Sequence, residues 1–172
     1  MDRIATFSPR SNTMPLSRRQ FAVFAAFAPW AVRPASAHHG WSGFDQERPL
    51  YLEGTVVGSK WQNPHAELMI ELPAGLKLPA GLARRALPAQ TAAVDGPGLL
   101  ARATLPRRSD RRWELELAPL TRLDAWKVAE IRVGAQVSAI GYASSGEQGD
   151  AVMRVEYLFV GDKAYGLRSS PA

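Results

Sequence analysis

The sequence predicts a mainly β fold, a small five-stranded barrel with one short helix between strands 3 and 4. Three observations lead to this expectation. Short β-branched and apolar segments recur between glycine and proline turns, as in all-β domains. Only one stretch, residues 122–131, carries a rough apolar stripe of helical period. Cysteine is absent, so the fold must be stabilised by packing rather than by disulfides or a thiolate metal site.

The first two strands are predicted on either side of a turn. Residues 50–59 are β-branched and punctuated by glycine, which is typical of a bent strand. Asn63-Pro64 is a turn dipeptide. Apolar residues then alternate from Ala66 to Leu72, so we expect strand 2 over residues 65–72, with those side chains on one face.

The second half of the barrel follows from the same reasoning. Apolar residues alternate with acids over residues 112–117, as in a half-buried strand 3. Thr121 is a plausible cap for a helix in residues 122–131, which precede Gly134. Strands 4 and 5 are predicted over the apolar segments 136–142 and 152–160. A polar loop separates them, and a turn and a small tail follow.

Three strands, a helix and two further strands form the element order of the five-stranded Greek-key barrel known as the OB-fold. The glycines of strand 1 suit the sharp bend that this barrel requires. An open β-sandwich or an incomplete barrel built from the same elements is the alternative that the sequence leaves open.

Residues 73–111 interrupt this pattern between strands 2 and 3. They contain five prolines with repeated alanine, leucine, glycine and arginine, and no helical or strand period survives in them. Basic residues are concentrated from Lys77 to Arg112. We therefore expect a flexible, basic, Pro/Ala/Arg-rich insertion.

The first 37 residues have the order of an export signal. A twin arginine, Arg18-Arg19, precedes a mildly apolar run over residues 21–32, and the small residues Ala35-Ser36-Ala37 follow. This predicts a Tat-like signal peptide over residues 1–37, cleaved after Ala37, and a periplasmic protein. The run is too short to span a bilayer comfortably, so we expect no transmembrane segment after cleavage. Translation could start at Met1 or at Met14.

Removing the leader changes the charge of the chain. Residues 1–37 hold five arginines against one aspartate, a net of +4 out of the +5 of the whole chain. The remaining residues 38–172, predicted to form a single domain, are nearly neutral. A nucleic-acid partner is therefore not expected.

The chain has three histidines, and cleavage after Ala37 would make His38 the first residue. An N-terminal histidine offers its α-amine and a ring nitrogen, both easily deprotonated near neutral pH. With His39 beside it and His65 as a further ligand, these nitrogens predict a copper site, because Cu²⁺ leads the affinity order for nitrogen ligands. The alternative is structural: adjacent histidines at a terminus are often frayed, and a histidine after Asn-Pro often satisfies turn backbone groups.

Several segments resemble a family of small exported bacterial proteins of uncharacterised function. The resemblance covers nearly all of residues 38–172, through "AHHGWSGFD", "LEGTVVGSKWQNPHAELMIEL", "WELELAP", "GAQVSAIGY" and "MRVEYLFVGDK". Its marks are the paired histidines with Trp41 and the Trp61, Asn63, Pro64 and His65 segment. The resemblance implies export and a compact β-barrel-like domain, and it brings no established activity. The long insertion departs from the family pattern.

Other function classes have weaker patterns. Nucleophile, phosphate-loop and zinc-helix motifs are absent from the sequence, so no catalytic residue is predicted, and strand alternation places the glutamates of strands 2 and 3 on a solvated face. Four tryptophans could line a binding groove: Trp41, Trp61, Trp113 and Trp126. The leading interpretation is an exported binding or accessory protein with Cu²⁺ as its ligand. The alternative is a metal-free barrel that binds a protein or an oligosaccharide.

Overall fold

The computed structural model describes residues 40–172. The predicted leader, its cleavage position, His38 and His39 lie outside the described residues. All described residues belong to one structural unit, which spans His38–Ala172.

Six strands and two helices make up this unit. The strands are β1 (Leu50–Lys60), β2 (Glu67–Glu71), β3 (Arg112–Glu116), β4 (Gln136–Tyr142), β5 (Val152–Val160) and β6 (Lys163–Gly166). The helices are α1 (Gly96–Arg102) and α2 (Leu120–Ala125), and short 3₁₀ turns lie at Trp41–Gly43, Leu82–Arg84 and Ser145–Glu147.

The first five strands close into a barrel. The sheet order is β3-β2-β1-β4-β5-β6, with antiparallel neighbours throughout. A parallel pairing between β3 and β5, in which Glu114 faces Val152 and Glu116 faces Arg154, joins the two ends of the five-stranded sheet. This closure distinguishes the barrel from an open sandwich. The predicted small OB-like barrel is confirmed.

Strand β1 bends so that it can belong to both halves of the barrel. Residues from Leu50 to Thr55 pair with β4, and residues from Thr55 to Lys60 pair with β2, with a bulge between Val56 and Gly58. At Gly54, an added Cβ would lie 2.4 Å from the carbonyl oxygen of Glu71. A side chain therefore cannot be accommodated there without moving the backbone of β2.

The barrel interior is filled by the faces that the alternation predicted. The predicted inward residues of strand 2 and of strand 3 are all buried, and Trp113 is fully enclosed. The members of this core that come from these two strands are Ala66, Leu68, Ile70, Leu72, Trp113, Leu115 and Leu117.

A second apolar cluster covers the outside of β4 and β5. The barrel contributes mainly aromatic side chains to it, and residues 73–111 contribute four buried ones. The barrel members are Tyr51, Ile140, Tyr142, Tyr157 and Phe159, and the insertion members are Leu82, Leu99, Leu100 and Ala103. Part of the insertion therefore packs as a layer over the barrel wall.

Helix α1 was not anticipated in this insertion. Asp95 caps it, because its side chain accepts a hydrogen bond from the Gly98 amide at 2.9 Å. Pro97 lies in the first turn, where its missing amide is not needed. The sequence of this short helix has no detectable helical period, which is why it was not predicted. The helix is stabilised by the packing of Leu99 and Leu100, which are buried. The flexibility of the insertion stays a prediction.

The helix and the tail differ from the expected ones, since α2 ends at Ala125 and not at residue 131. Thr121 does not cap α2: the capping position is Pro119, which makes no side-chain cap bond, and Thr121 lies inside the helix. The expected tail contains β6, which pairs with β5 after a turn at Gly161, a residue with φ of +55°. Four strand residues after a short turn carried too little period to be recognised.

Candidate functional site

The predicted motif Trp61 to His65 forms the connection between β1 and β2. The Asn63 side-chain oxygen accepts a hydrogen bond from the Leu120 amide at 3.2 Å, which attaches this connection to the start of α2. The Asn63-Pro64 peptide is cis, and Pro64 is exposed. Backbone bonds between Ala66 and the segment after β3 then hold His65 beside the end of β3.

His65 contacts a carboxylate through one ring nitrogen. Its Nδ1 lies 3.1 Å from Oε1 of Glu116, and only 18% of the His65 side chain is exposed. In a neutral imidazole, a carboxylate facing Nδ1 favours the proton on that nitrogen and leaves the lone pair on Nε2. This is the arrangement in which carboxylates orient histidines that bind metals.

Glu116 also forms an ion pair with Arg154. Arg154 Nη1 donates to the same Oε1 atom, and both residues are buried. They meet because the parallel register of β3 and β5 places them opposite each other. Burial lowers the pKa of Arg154 below its usual range, and the charge of Glu116 opposes this change. One carboxylate therefore links His65 to β5.

Trp41 contacts two guanidinium groups at the outer face of β5. The guanidinium of Arg168 lies 3.5 Å from the Trp41 ring centroid, and that of Arg154 lies 5.2 Å from it. Tyr142 meets the ring edge-on with centroids 6.2 Å apart. These cation–π and aromatic contacts dock the beginning of the described chain beside the Arg154–Glu116 pair.

The second guanidinium is fixed by a fully buried acid. Arg168 Nε donates to Oε2 of Glu156 at 2.8 Å, and two further nitrogens of Arg168 contact Gln46 Oε1 at 3.1 Å. Burial raises the pKa of Glu156, and the bond from Arg168 opposes that effect. One continuous chain of contacts therefore runs through six of the described residues. We call it the histidine–tryptophan relay, and its members in order are His65, Glu116, Arg154, Trp41, Arg168 and Glu156.

Sequence reasoning found His65 and Trp41 but missed the four charged members of the relay. Glu116 was expected on a solvated face, and this expectation is wrong, because His65 and Arg154 cover it. The alternation Arg154, Val155, Glu156 within an apolar strand is a signal that could have indicated buried charges. Their partners come from distant positions, which periodicity does not reveal.

The tryptophans expected to form a groove are used in packing. Trp113 is fully buried, and its Nε1 donates to the Asp110 carbonyl at 3.1 Å. Trp126 Nε1 donates to the Ser169 carbonyl at 2.8 Å. Trp61 packs against the barrel core at its rim. Trp41 is half-buried and contacts Arg154, Arg168 and Tyr142.

Residues 40–172 contain no group of three or more histidines and acids that could hold a metal ion. His65 and Glu116 are only two side chains of this kind, so a three-ligand site at this place requires a contribution from residues before Gly40. In the same described range, no helix is long and apolar enough to cross a membrane.

Comparison with known proteins gives a partial match. The model of a family of unknown function (DUF6152) matches residues 28–77. This range covers the two adjacent histidines, β1, the connection that carries His65, and β2. No curated protein matches the chain. No solved structure matches it either. The chain is therefore similar, over its histidine-bearing part, to an uncharacterised family.

Proposed function

We propose that this chain is an exported periplasmic protein that binds one Cu²⁺ through its processed N-terminus and His65. His38 would supply its α-amine and a ring nitrogen, His65 would supply a second imidazole, and His39, the next residue in the sequence, would be a further donor. The proposal rests on the leader-like sequence that ends at Ala37 and on the position of Trp41 in the relay.

The position of Trp41 is the observation that carries the proposal. His38 lies three residues before Trp41, and three extended residues reach at most about 10 Å. The Arg154 guanidinium lies 5.2 Å from the Trp41 ring centroid, and Arg154 and His65 contact the same carboxylate oxygen of Glu116. A terminus that starts from this point has the reach to approach His65.

Glu116 would act as a positioning residue in this site. Its contact with Nδ1 of His65 favours presentation of Nε2 to the metal, and it would raise the basicity of the ring. Arg154 offsets the negative charge of Glu116 and restrains its orientation. The ring of His65 would then be oriented before any metal arrives, which lowers the entropic cost of binding.

The donor set suits copper for chemical reasons. An α-amine with a pKa near 8 and imidazoles with a pKa near 6.5 release their protons to a metal at neutral pH with little cost. Nitrogen donors favour Cu²⁺ over the other divalent first-row ions. Without cysteine, the chain offers no competing thiolate site.

The test is calorimetric titration of Cu²⁺ into protein recovered from the periplasm, with His38 confirmed as the first residue by intact mass. We expect one tight site per chain. His65→Gln keeps a donor for Glu116 and should weaken binding at least tenfold, and an extra alanine before His38 should do the same. Gln62→Ala, an exposed neighbour, should change nothing.

Either of two results would overturn the proposal. Copper affinity that survives both the His65→Gln change and the added residue would show that the site lies elsewhere. A mature N-terminus other than His38 would remove the proposed donor, whatever the affinity.

A further inference from the structure

The insertion is opposite in charge to the barrel that carries it. Residues 73–111 hold seven cations and two acids, a net of +5. The rest of the described chain, residues 40–72 and 112–172, holds nine cations and thirteen acids, a net of −4. Charge is therefore separated between two parts of one small domain, although the domain as a whole is nearly neutral.

Three cations of the insertion are available at its surface. Lys77, Arg84 and Arg107 are exposed and take part in none of the salt bridges found within residues 40–172. Arg102, Arg108 and Arg111 are paired with acids, Arg108 with Asp110 at 2.6 Å, and Arg85 is half-buried over the ring of Phe159. The unpaired charges are thus the ones that a partner could neutralise.

An exposed apolar side chain lies among these charges. Leu78, next to Lys77, is 43% exposed. The chain then turns through a bond from the Leu82 amide to the Pro79 carbonyl at 3.0 Å. Leu82 is buried in the second apolar cluster and anchors this turn to the barrel wall. Residues 75–85, which we call the basic loop, therefore present Lys77, Leu78 and Arg84 on an anchored turn.

The two arms of the insertion meet beside this loop. Residues 72–76 and, from the second arm, residues 105, 106 and 108–111 line a pocket of about 310 Å³, so Arg108 and Arg111 lie near the start of the basic loop. Both of these arginines are paired with acids, so the charge that the basic loop offers to a partner is that of Lys77 and Arg84.

We propose that the basic loop docks the protein onto a lipid surface with anionic headgroups, with Leu78 entering the headgroup boundary. Exposed cationic side chains beside one exposed apolar side chain suit a fluid anionic surface. The acidic barrel would be repelled by the same surface and would turn away from it, which orients the molecule. This inference does not depend on copper.

The test is co-sedimentation of the metal-free processed protein with vesicles of phosphatidylglycerol and phosphatidylcholine, compared with vesicles of phosphatidylcholine alone. We expect binding only to the anionic vesicles, weakened by salt. The double change Lys77→Gln and Arg84→Gln should lower the partition constant about fivefold per charge removed. The matched control, Arg132→Gln with Lys163→Gln, removes two exposed cations outside the insertion and should have much less effect.

The Leu78→Ser variant distinguishes a lipid surface from an acidic protein as the partner of the basic loop. It should weaken binding to anionic vesicles and leave binding to soluble polyglutamate unchanged, because only the lipid takes up the apolar side chain. Equal binding to both vesicle types, equal loss in the two double variants, or vesicle binding that ignores Leu78 would each overturn the proposal. Thermal unfolding of every variant checks that the fold is retained.

Discussion

At the scale of single residues, Glu116 connects the parts of the candidate site. Its Oε1 atom contacts Nδ1 of His65 and a nitrogen of Arg154. Glu116 is separated from Arg154 by 38 residues, and only the parallel pairing that closes the barrel brings them together. Alternation in β3 correctly placed Glu116 outside the barrel, but it could not show that another element covers that face.

We predict that Glu116→Gln destabilises the fold by about 3 kcal/mol, because breaking a buried ion pair leaves the Arg154 charge without compensation. Urea unfolding at neutral pH measures this. Glu114→Gln on the same strand is the control: burial, Glu67 and Glu116 raise the pKa of Glu114, so its loss should be neutral or stabilising. Equal destabilisation by both variants would contradict the assigned role of Glu116.

The sequence indicated Trp41 as a motif residue because it lies close to the paired histidines. In the structure, Trp41 attaches this segment to the barrel. Through its contacts with Arg154 and Arg168, its ring attaches the N-terminal segment to β5. We predict that Trp41→Ala lowers Cu²⁺ affinity at least tenfold, while Trp41→Phe, which keeps a ring for the two cations, retains most of it. Calorimetry on both variants decides. Unchanged affinity in Trp41→Ala would show that the terminus is positioned by other contacts.

At the scale of elements, apolar segments bounded by turns were predictive. The predicted strands 4 and 5 coincide with Gln136–Tyr142 and Val152–Val160, and these strands are buried on both faces, one in the barrel interior and the other under the second apolar cluster. Elements that depend on tertiary contacts were missed. The helix Gly96–Arg102 exists through the burial of its two leucines against the barrel wall, and the strand Lys163–Gly166 exists through its pairing with β5.

Packing of α1 gives a direct test of how firmly the insertion is held. Leu99 is 5% exposed, and we predict that Leu99→Ala costs about 2–3 kcal/mol in the free energy of unfolding, as for other buried leucines. Leu78→Ala, at an exposed position of the same insertion, should change stability by less than about 0.5 kcal/mol. If Leu99→Ala is equally silent in urea unfolding, the insertion is not packed on the barrel in solution.

The end of the insertion is attached through Glu147. Its carboxylate accepts bonds from the Arg107 amide at 3.0 Å and the Arg108 amide at 3.1 Å, and from Arg48. Burial alone would raise the pKa of Glu147, but these donors prevail and lower it below its ordinary value of 4.5. The ionised carboxylate is therefore favoured in the folded state.

Because the folded pKa lies below the unfolded one, Glu147 stabilises the fold fully above about pH 5 and loses this contribution as the pH falls through 4.5 and below. We predict that Glu147→Gln is less stable than the unmodified protein at pH 7 and that the difference shrinks towards pH 3. Unfolding curves across this range measure it. A difference that stays constant with pH would show that the charge of Glu147 contributes nothing.

At the scale of the whole molecule, two features have separate origins. The barrel places His65, Glu116 and Arg154 at one junction, where the β1–β2 connection meets the closure of β3 on β5. The insertion adds a basic layer outside β4 and β5. The family similarity covers residues 28–77 and so includes the predicted copper ligands and β1, but only the first residues of the insertion. The copper and lipid proposals therefore concern different parts of the chain.

The central claim is that His38 and His65 bind the same copper ion. Pulsed electron paramagnetic resonance of the processed, Cu²⁺-loaded protein tests it most directly, because the remote nitrogen of each coordinated imidazole modulates the echo. We predict the modulation of two imidazoles in the unmodified protein and of one in the His65→Gln variant loaded at higher copper concentration. A signal that is identical in the two proteins would place the copper away from His65 and contradict the claim.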